Sequence, residues 1–190
     1  MTLIEIYGKL SNHILTGMMI HEQLANYYDF LGLGGYKRCH EYHFFKETMQ
    51  YRKVCRYFIN HHNMLIPETL VDVPEIIPES WYMHTRQDVD ADTKKKSVKI
   101  GLEKWVEWEK DTKKFYQDMY NELLAIGEIA SAMLVKCMIE DVDQELKKAE
   151  RYHLNKEAIG YNMSAIIGEQ KRKHDKYDKK CERELCIKIC

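Results

Sequence analysis

Apolar residues recur at steps of three and four along four long stretches of this chain, the period of a helix that buries one face. The first stretch runs from about Leu3 to Leu31, with Leu3, Tyr7, Leu10, Ile14, Met18, His21, Leu24 and Tyr28 in its stripe. It stops at Gly32-Leu33-Gly34-Gly35, where glycine takes the left-handed cap conformation freely. The second runs from Tyr36 to about His62. So short a turn between long helices predicts an antiparallel pair. The third, from about Thr93 to Leu124, carries Val98, Leu102, Trp105, Glu109, Thr112, Tyr116, Met119 and Leu123. The fourth, from near Gly127 to about His153, is read with Ala130, Met133, Cys137, Glu140 and Gln144 in its stripe.

Between the second and third stretches the pattern breaks. All three prolines, Pro67, Pro74 and Pro78, fall between Asn63 and Asp92. About thirty residues is long for a connection inside a compact domain. The segment is nevertheless rich in apolar residues (Leu65, Ile66, Val71, Val73, Ile76, Ile77, Trp81). A crossover running the length of a bundle accounts for both facts, and it makes the third helix parallel to the second. The expected fold is therefore all-α, a four-helix bundle over residues 1–153 with one long crossover between helices 2 and 3. Residues 154–190 form a tail. It begins with a short helix around Ile159, Met163, Ile166 and Ile167 and turns polar in EQKRKHDKYDKKCERE, expected as a solvated helix or a partly disordered end.

Composition narrows the class. The 190 residues are 45% hydrophobic, enough for a continuous core, and 31% charged. Twenty-nine Lys and Arg nearly cancel thirty Asp and Glu, for a net charge of -1. That balance argues against a nucleic-acid partner. No apolar run approaches the ~20 residues that span a bilayer, and the N-terminus lacks the features of a signal peptide. A cytoplasmic protein with no membrane partner is expected. Of six cysteines, Cys39, Cys55 and Cys137 lie within helical patterns and read as small buried hydrophobes. Cys181, Cys186 and Cys190 read as unpaired surface thiols.

Candidate chemistry lies where polar residues interrupt the apolar faces. Glu109 stands mid-stripe in the third helix. Glu47 and Gln50 do so in the second, and Glu140, Asp141 and Gln144 in the fourth. Buried carboxylates are costly and find a partner or a metal. Residues at i and i+3 share a face, so Glu47 and Gln50 can address one point, as can Asp141 and Gln144. Depth counted from the first turn puts His21 and Glu22 within about a turn of Glu47. The alternative is that these are ordinary boundary residues paired with the many lysines. His40 and His43, with Glu47 a turn beyond, offer a second divalent-metal arrangement.

With these residues in view, the chain resembles the ferritin family over residues 3 to 150. LSNHILTGMMIHEQLANYYDF looks like the first ferritin helix and GYKRCHEYHFFKETMQYRKVCRYFINH like the second. NMLIPETL resembles the opening of the crossover, VEWEKDTKKFYQDMYNELLAIGE the third helix and its turn, and MLVKCMIEDVDQELKK the fourth. The resemblance implies a carboxylate-bridged pair of irons inside each bundle, iron oxidation by oxygen or peroxide, and mineral storage in a homo-oligomeric shell. The second-helix Glu falls on Glu47, but the His of that motif is Gln50. The third-helix Glu falls on Glu109, and the fourth-helix positions on Asp141 and Gln144 beside Glu140. The first-helix Glu falls on Ile14, and only a shifted register lets Glu22 serve. Two readings follow: a protein that binds one or two irons or another divalent metal, or a structural or assembly subunit that has lost its metal site and needs none.

Overall fold

The computed structural model describes residues 1–66, 73, 74, 76, 85 and 89–184. Four long helices dominate: α1 (Leu3–Phe30), α2 (Gly34–His62), α3 (Ala91–Ala125) and α4 (Ile129–Ala158). Two shorter ones follow, α5 (Met163–Gly168) and α6 (Gln170–Glu184). Their limits follow from local chemistry. Thr2 and Glu5 close a capping box at the start of α1: the Thr2 hydroxyl accepts from Glu5 N, and the Glu5 carboxylate accepts from Thr2 N. Asp90 caps α3 by accepting from Thr93 N at 2.7 Å. Gly32 at φ 70° and Gly127 at φ 79° make the two sharp turns, in the left-handed region that only glycine enters without strain.

Two apolar clusters fix the directions of the helices. One gathers the end of α1 (Leu24, Tyr28), the start of α2 (Tyr36, Cys39), the start of α3 (Val98, Leu102) and the end of α4 (Ala149). The other gathers the start of α1 (Ile6, Tyr7, Leu10, Ile14), the end of α2 (Val54, Phe58), the end of α3 (Tyr116, Met119, Leu123) and the start of α4 (Ala132, Val135, Met138). So α1 and α4 run one way, α2 and α3 the other. Most of the crossover lies outside the described residues, but Ile66 packs on the second cluster and Ile76 and Val89 on the first. The connection therefore starts at one end of the bundle and finishes at the other.

The phase of α4 differs from the sequence reading. Its buried stripe is Ser131, Ala132, Leu134, Val135, Met138, Val142, Leu146 and Ala149. Met133, Cys137, Glu140, Asp141 and Gln144 point outward. The helix carries apolar side chains on both faces, so a helical period fits more than one phase.

The tail also differs from a purely solvated end. α6 folds back on α2 and buries Lys173, Tyr177 and Cys181. Cys181 is thus a core thiol, and Cys137 is the exposed one; Cys186 and Cys190 lie outside the described residues. Gln170 Oε1 accepts from Gly35 N at 2.9 Å and Tyr36 N at 3.2 Å. It thereby satisfies donors at the start of α2, whose N-cap Leu33 has no side chain to offer. Arg38 donates to Asp178 and Tyr42 to Glu184, tying the same two helices together. The approach is close: a Cβ on Gly35 would stand 2.5 Å from the Gln170 carbonyl oxygen and 2.8 Å from Lys173 Cβ. A Gly35→Leu change is expected to lever α6 off the bundle at a cost of ~1–3 kcal/mol. Limited proteolysis between α4 and α6 should accelerate in that variant, and an unchanged digestion pattern would refute the close packing.

Candidate functional site

Between the two apolar clusters the bundle has a polar waist. Each helix reaches it through the stripe that builds the core, because residues three and four apart share a face. α1 contributes His13, Gly17 and His21; α2 contributes His40, His43, Lys46, Glu47 and Gln50. α3 contributes Trp105, Glu109, Thr112 and Tyr116, and α4 contributes Glu145 and Lys148.

Two carboxylates occupy the centre. Glu109 is buried, 5% exposed, and its Oε1 accepts from Trp105 Nε1 at 2.8 Å. Glu47 is half-buried as a residue, but its Oε2 is sealed from solvent and has no hydrogen-bond partner. Burial pushes the Glu47 carboxyl up to about 7, with Glu145 and Asp141 adding to the rise against the pull of Lys46. Burial and the facing Glu47 push Glu109 up to about 8. Two carboxylates shut in a dry space favour a retained proton or a bound cation. Gln50 Nε2 donates to Tyr116 OH at 3.3 Å.

Beside this pair lie three histidines. His21 Nδ1 and His40 Nδ1 are 3.1 Å apart and hydrogen-bonded, and His21 Nε2 is 4.0 Å from Glu109 Oε1. Burial holds His21 down to about 3 and His40 and His43 well below the ordinary imidazole range. His13, stacked between Trp108 and Phe115 and hydrogen-bonded to Thr112 at 2.9 Å, is held by burial to about 4. The imidazoles are neutral donors or acceptors, not charges.

The third group is ionic. Glu145 takes Lys46 at 3.0 Å on one oxygen and Lys148 at 3.1 Å on the other. Burial raises its carboxyl, but the two ammoniums outweigh burial and hold it below the ordinary range.

The candidate residues read from the sequence divide accordingly. Glu47, Gln50 and Glu109 lie in the waist. Glu140, Asp141 and Gln144 are exposed on α4, with Asp141 at the rim of a surface groove beside Lys46 and Lys53. They do not complete a buried centre, because the true core phase of α4 passes through Val142 and Glu145. Ile14 is fully buried in an apolar cluster. Glu22 is half-buried and accepts from Asn26, a turn further along α1. The residue of α1 that faces the Glu47 carboxyl is Gly17. A Cβ there would lie 3.7 Å from the Glu47 carboxyl carbon and 3.2 Å from the Trp108 ring. Glu145 and Lys148 escape the sequence reading; the stripe Leu134, Met138, Val142, Glu145, Ala149 contains the missing signal. Among the described residues, no group of three or more His, Cys, Asp or Glu side chains is placed to hold a metal ion, and no helix is long and apolar enough to cross a membrane.

No protein-family model matches the chain, and no curated protein matches it either. Solved structures do. A closed form of the Archaeoglobus fulgidus ferritin, engineered by site-directed mutagenesis, is 14% identical; the match covers 92% of this chain and 96% of that one with a TM-score of 0.75. A humanized archaeal ferritin is 13% identical over 90% and 94% of the two chains, with a TM-score of 0.74. An open-pore ferritin from the hyperthermophilic archaeon Archaeoglobus fulgidus is 15% identical over 90% and 94%, also at 0.74. The chain has the ferritin-like fold, a four-helix bundle with no strand among the described residues.

Proposed function

We propose that this ferritin-like chain is a metal-handling protein that holds a single divalent cation, with iron(II) the first candidate, between Glu47 and Glu109 at the waist of the bundle. The observation that carries the reading is the Glu47 Oε2, sealed inside the bundle without a donor, on a carboxylate near enough to the buried Glu109 to raise it. A hard divalent ion held by two carboxylates, with water in its remaining positions, satisfies that oxygen and removes the like-charge repulsion.

The residues fit one ion and not two. Gly17 offers no donor from α1, Gln50 is engaged with Tyr116, and Glu140, Asp141 and Gln144 face solvent. In this reading Glu47 and Glu109 surrender the proton they hold when the cation arrives, and Trp105 Nε1 fixes the rotamer of Glu109. Iron(II) held by Glu47 and Glu109 would supply one-electron reducing power towards oxygen or peroxide. Exposed Met19, Met49, Ile59 and Met133 on the outer faces of α1, α2 and α4 support a homo-oligomer, in which such side chains find cover.

Anaerobic equilibrium dialysis against iron(II) is expected to give about one ion per chain, taken up with proton release at pH 7. The Glu47→Gln/Glu109→Gln double variant should retain less than about a tenth of that. Absence of uptake by the wild type would overturn the reading. It would favour instead a structural or assembly subunit without a metal, to which the outward-facing α4 donors also point. On that second reading Glu109→Gln leaves melting indifferent to iron, and sedimentation reports the same assembly in both proteins.

A further inference from the structure

The Lys148 ammonium lies where a carboxylate and an imidazole converge. Its Nζ is 2.7 Å from His43 Nε2 and 3.1 Å from Glu145 Oε2. Those two acceptors are 3.5 Å from each other. A cation ligated by both would stand where the ammonium stands. The rings of Tyr177, Trp105 and Tyr42 surround it, their centroids 5.0, 5.5 and 5.7 Å from Nζ. All three are within cation–π reach. The His43 ring is buried and Glu145 carries Lys46 on its other oxygen, so few routes remain for another donor to enter.

We infer that Lys148 is a resident cation of this chain: its ammonium fills a latent divalent-metal position formed by His43 and Glu145 and restricts the bundle waist to one metal ion.

Charge counting leads the same way. Glu47, Glu109 and Glu145 bring three negative charges when ionised, and Lys46 and Lys148 bring two positive ones. One divalent ion between Glu47 and Glu109 takes the cluster to a single positive charge. A second ion added beside the ammonium would take it to three, in surroundings where charges are weakly screened. Removing the ammonium while keeping the buried stem lowers that barrier and vacates the position between His43 and Glu145. Methionine does both: its chain is one atom shorter than lysine's and uncharged, and its thioether packs well against aromatic rings.

The predicted stoichiometry rests on the one-cation reading above; the identity of the resident cation does not. Cobalt(II) equilibrium dialysis and visible absorption are compared for the wild type, Lys148→Met and Lys148→Met/Glu145→Gln. Each is first shown to have wild-type helical circular dichroism. The methionine variant is expected to bind one more cobalt per chain than the wild type, with a new absorption band, and the double variant to lose that increment. Equal uptake by wild type and Lys148→Met overturns the inference while leaving the one-cation reading intact. No uptake by the wild type but one ion in Lys148→Met sustains the resident-cation assignment and sinks the one-cation reading together with the stoichiometry that rests on it. An extra ion that survives in the double variant lies elsewhere and also overturns it. Should the methionine variant not fold, nitrogen-15 NMR of the wild type decides. An ammonium donating to Nε2 requires His43 to carry its proton on Nδ1, and an Nε2–H tautomer there refutes the assignment.

Discussion

Acidifying the metal-free protein from pH 7 to pH 5 is expected to reduce its unfolding free energy, with a slope near pH 5 of ~3 kcal/mol per pH unit. His13 and His21 are held by burial to about 4 and about 3, and His40 and His43 well below the ordinary range. Their folded pKa values lie below the unfolded one, so the unfolded chain binds protons that the fold refuses. Their penalty is absent above about pH 6.5 and grows as pH falls, at ~1.4 kcal/mol per unit for each histidine. Glu47 and Glu109 act in the opposite sense. Their folded pKa values, about 7 and about 8, lie above the unfolded one. Their contribution is full below about pH 4.5 and is lost as pH rises through about 7 and 8. The four histidines outnumber the two acids, so the acid loss dominates and the optimum falls at about pH 6 to 7. Urea unfolding at pH 5, 6, 7 and 8 measures the profile. Glu109→Gln should abolish part of the alkaline loss and move the optimum upward. A flat profile would show that the imidazoles are not shielded as described.

Trp105→Ala is expected to cost ~3–5 kcal/mol, among the largest single-residue effects available in this fold. The indole is 1% exposed and fills the waist between His40, His43 and Tyr152. Its loss opens a cavity, removes the hydrogen bond to Glu109 Oε1, and takes away one of the rings around Lys148. Trp105→Phe separates these contributions. It keeps most of the buried area and forfeits the hydrogen bond, so ~1–3 kcal/mol is expected, most of it from the unsatisfied carboxyl. Calorimetric or urea unfolding of the two variants tests this ordering. A phenylalanine variant as damaged as the alanine one would assign the effect to the hydrogen bond and not to packing. An alanine variant of wild-type stability would mean the waist is already loosely filled.

The stripes of α1 and α3 are legible because few large apolar residues lie off the buried face, Ile4 and Met19 on α1 and Leu124 on α3 being the exposed ones. From Val98 to Leu123 the expected core positions of α3 are buried, with Glu109 in the middle. The phase of α4 is ambiguous in the sequence for a physical reason. Its Ile129, Met133, Cys137 and Leu154 lie on outward faces and compete with the core stripe, so an acceptable period starts from the wrong residue. That shift carried Glu140, Asp141 and Gln144 into the expected site and left Glu145 and Lys148 out. Composition alone likewise gave no means of telling Cys181, under the α2–α6 contact, from Cys137 in solvent.

By itself the sequence determined the class and the order of elements: four long helices, a tight first turn, a long apolar crossover and an acidic interruption at Glu47 and Glu109. Those features are set by spacing within one segment, which the chain states directly. Tertiary structure alone decided that Gly17 faces the Glu47 carboxyl, that α6 supplies Gln170 to the start of α2, and that an ammonium stands between His43 and Glu145. Each depends on the rotation of one helix against another. That rotation is set by the packing of whole faces, which no single segment encodes.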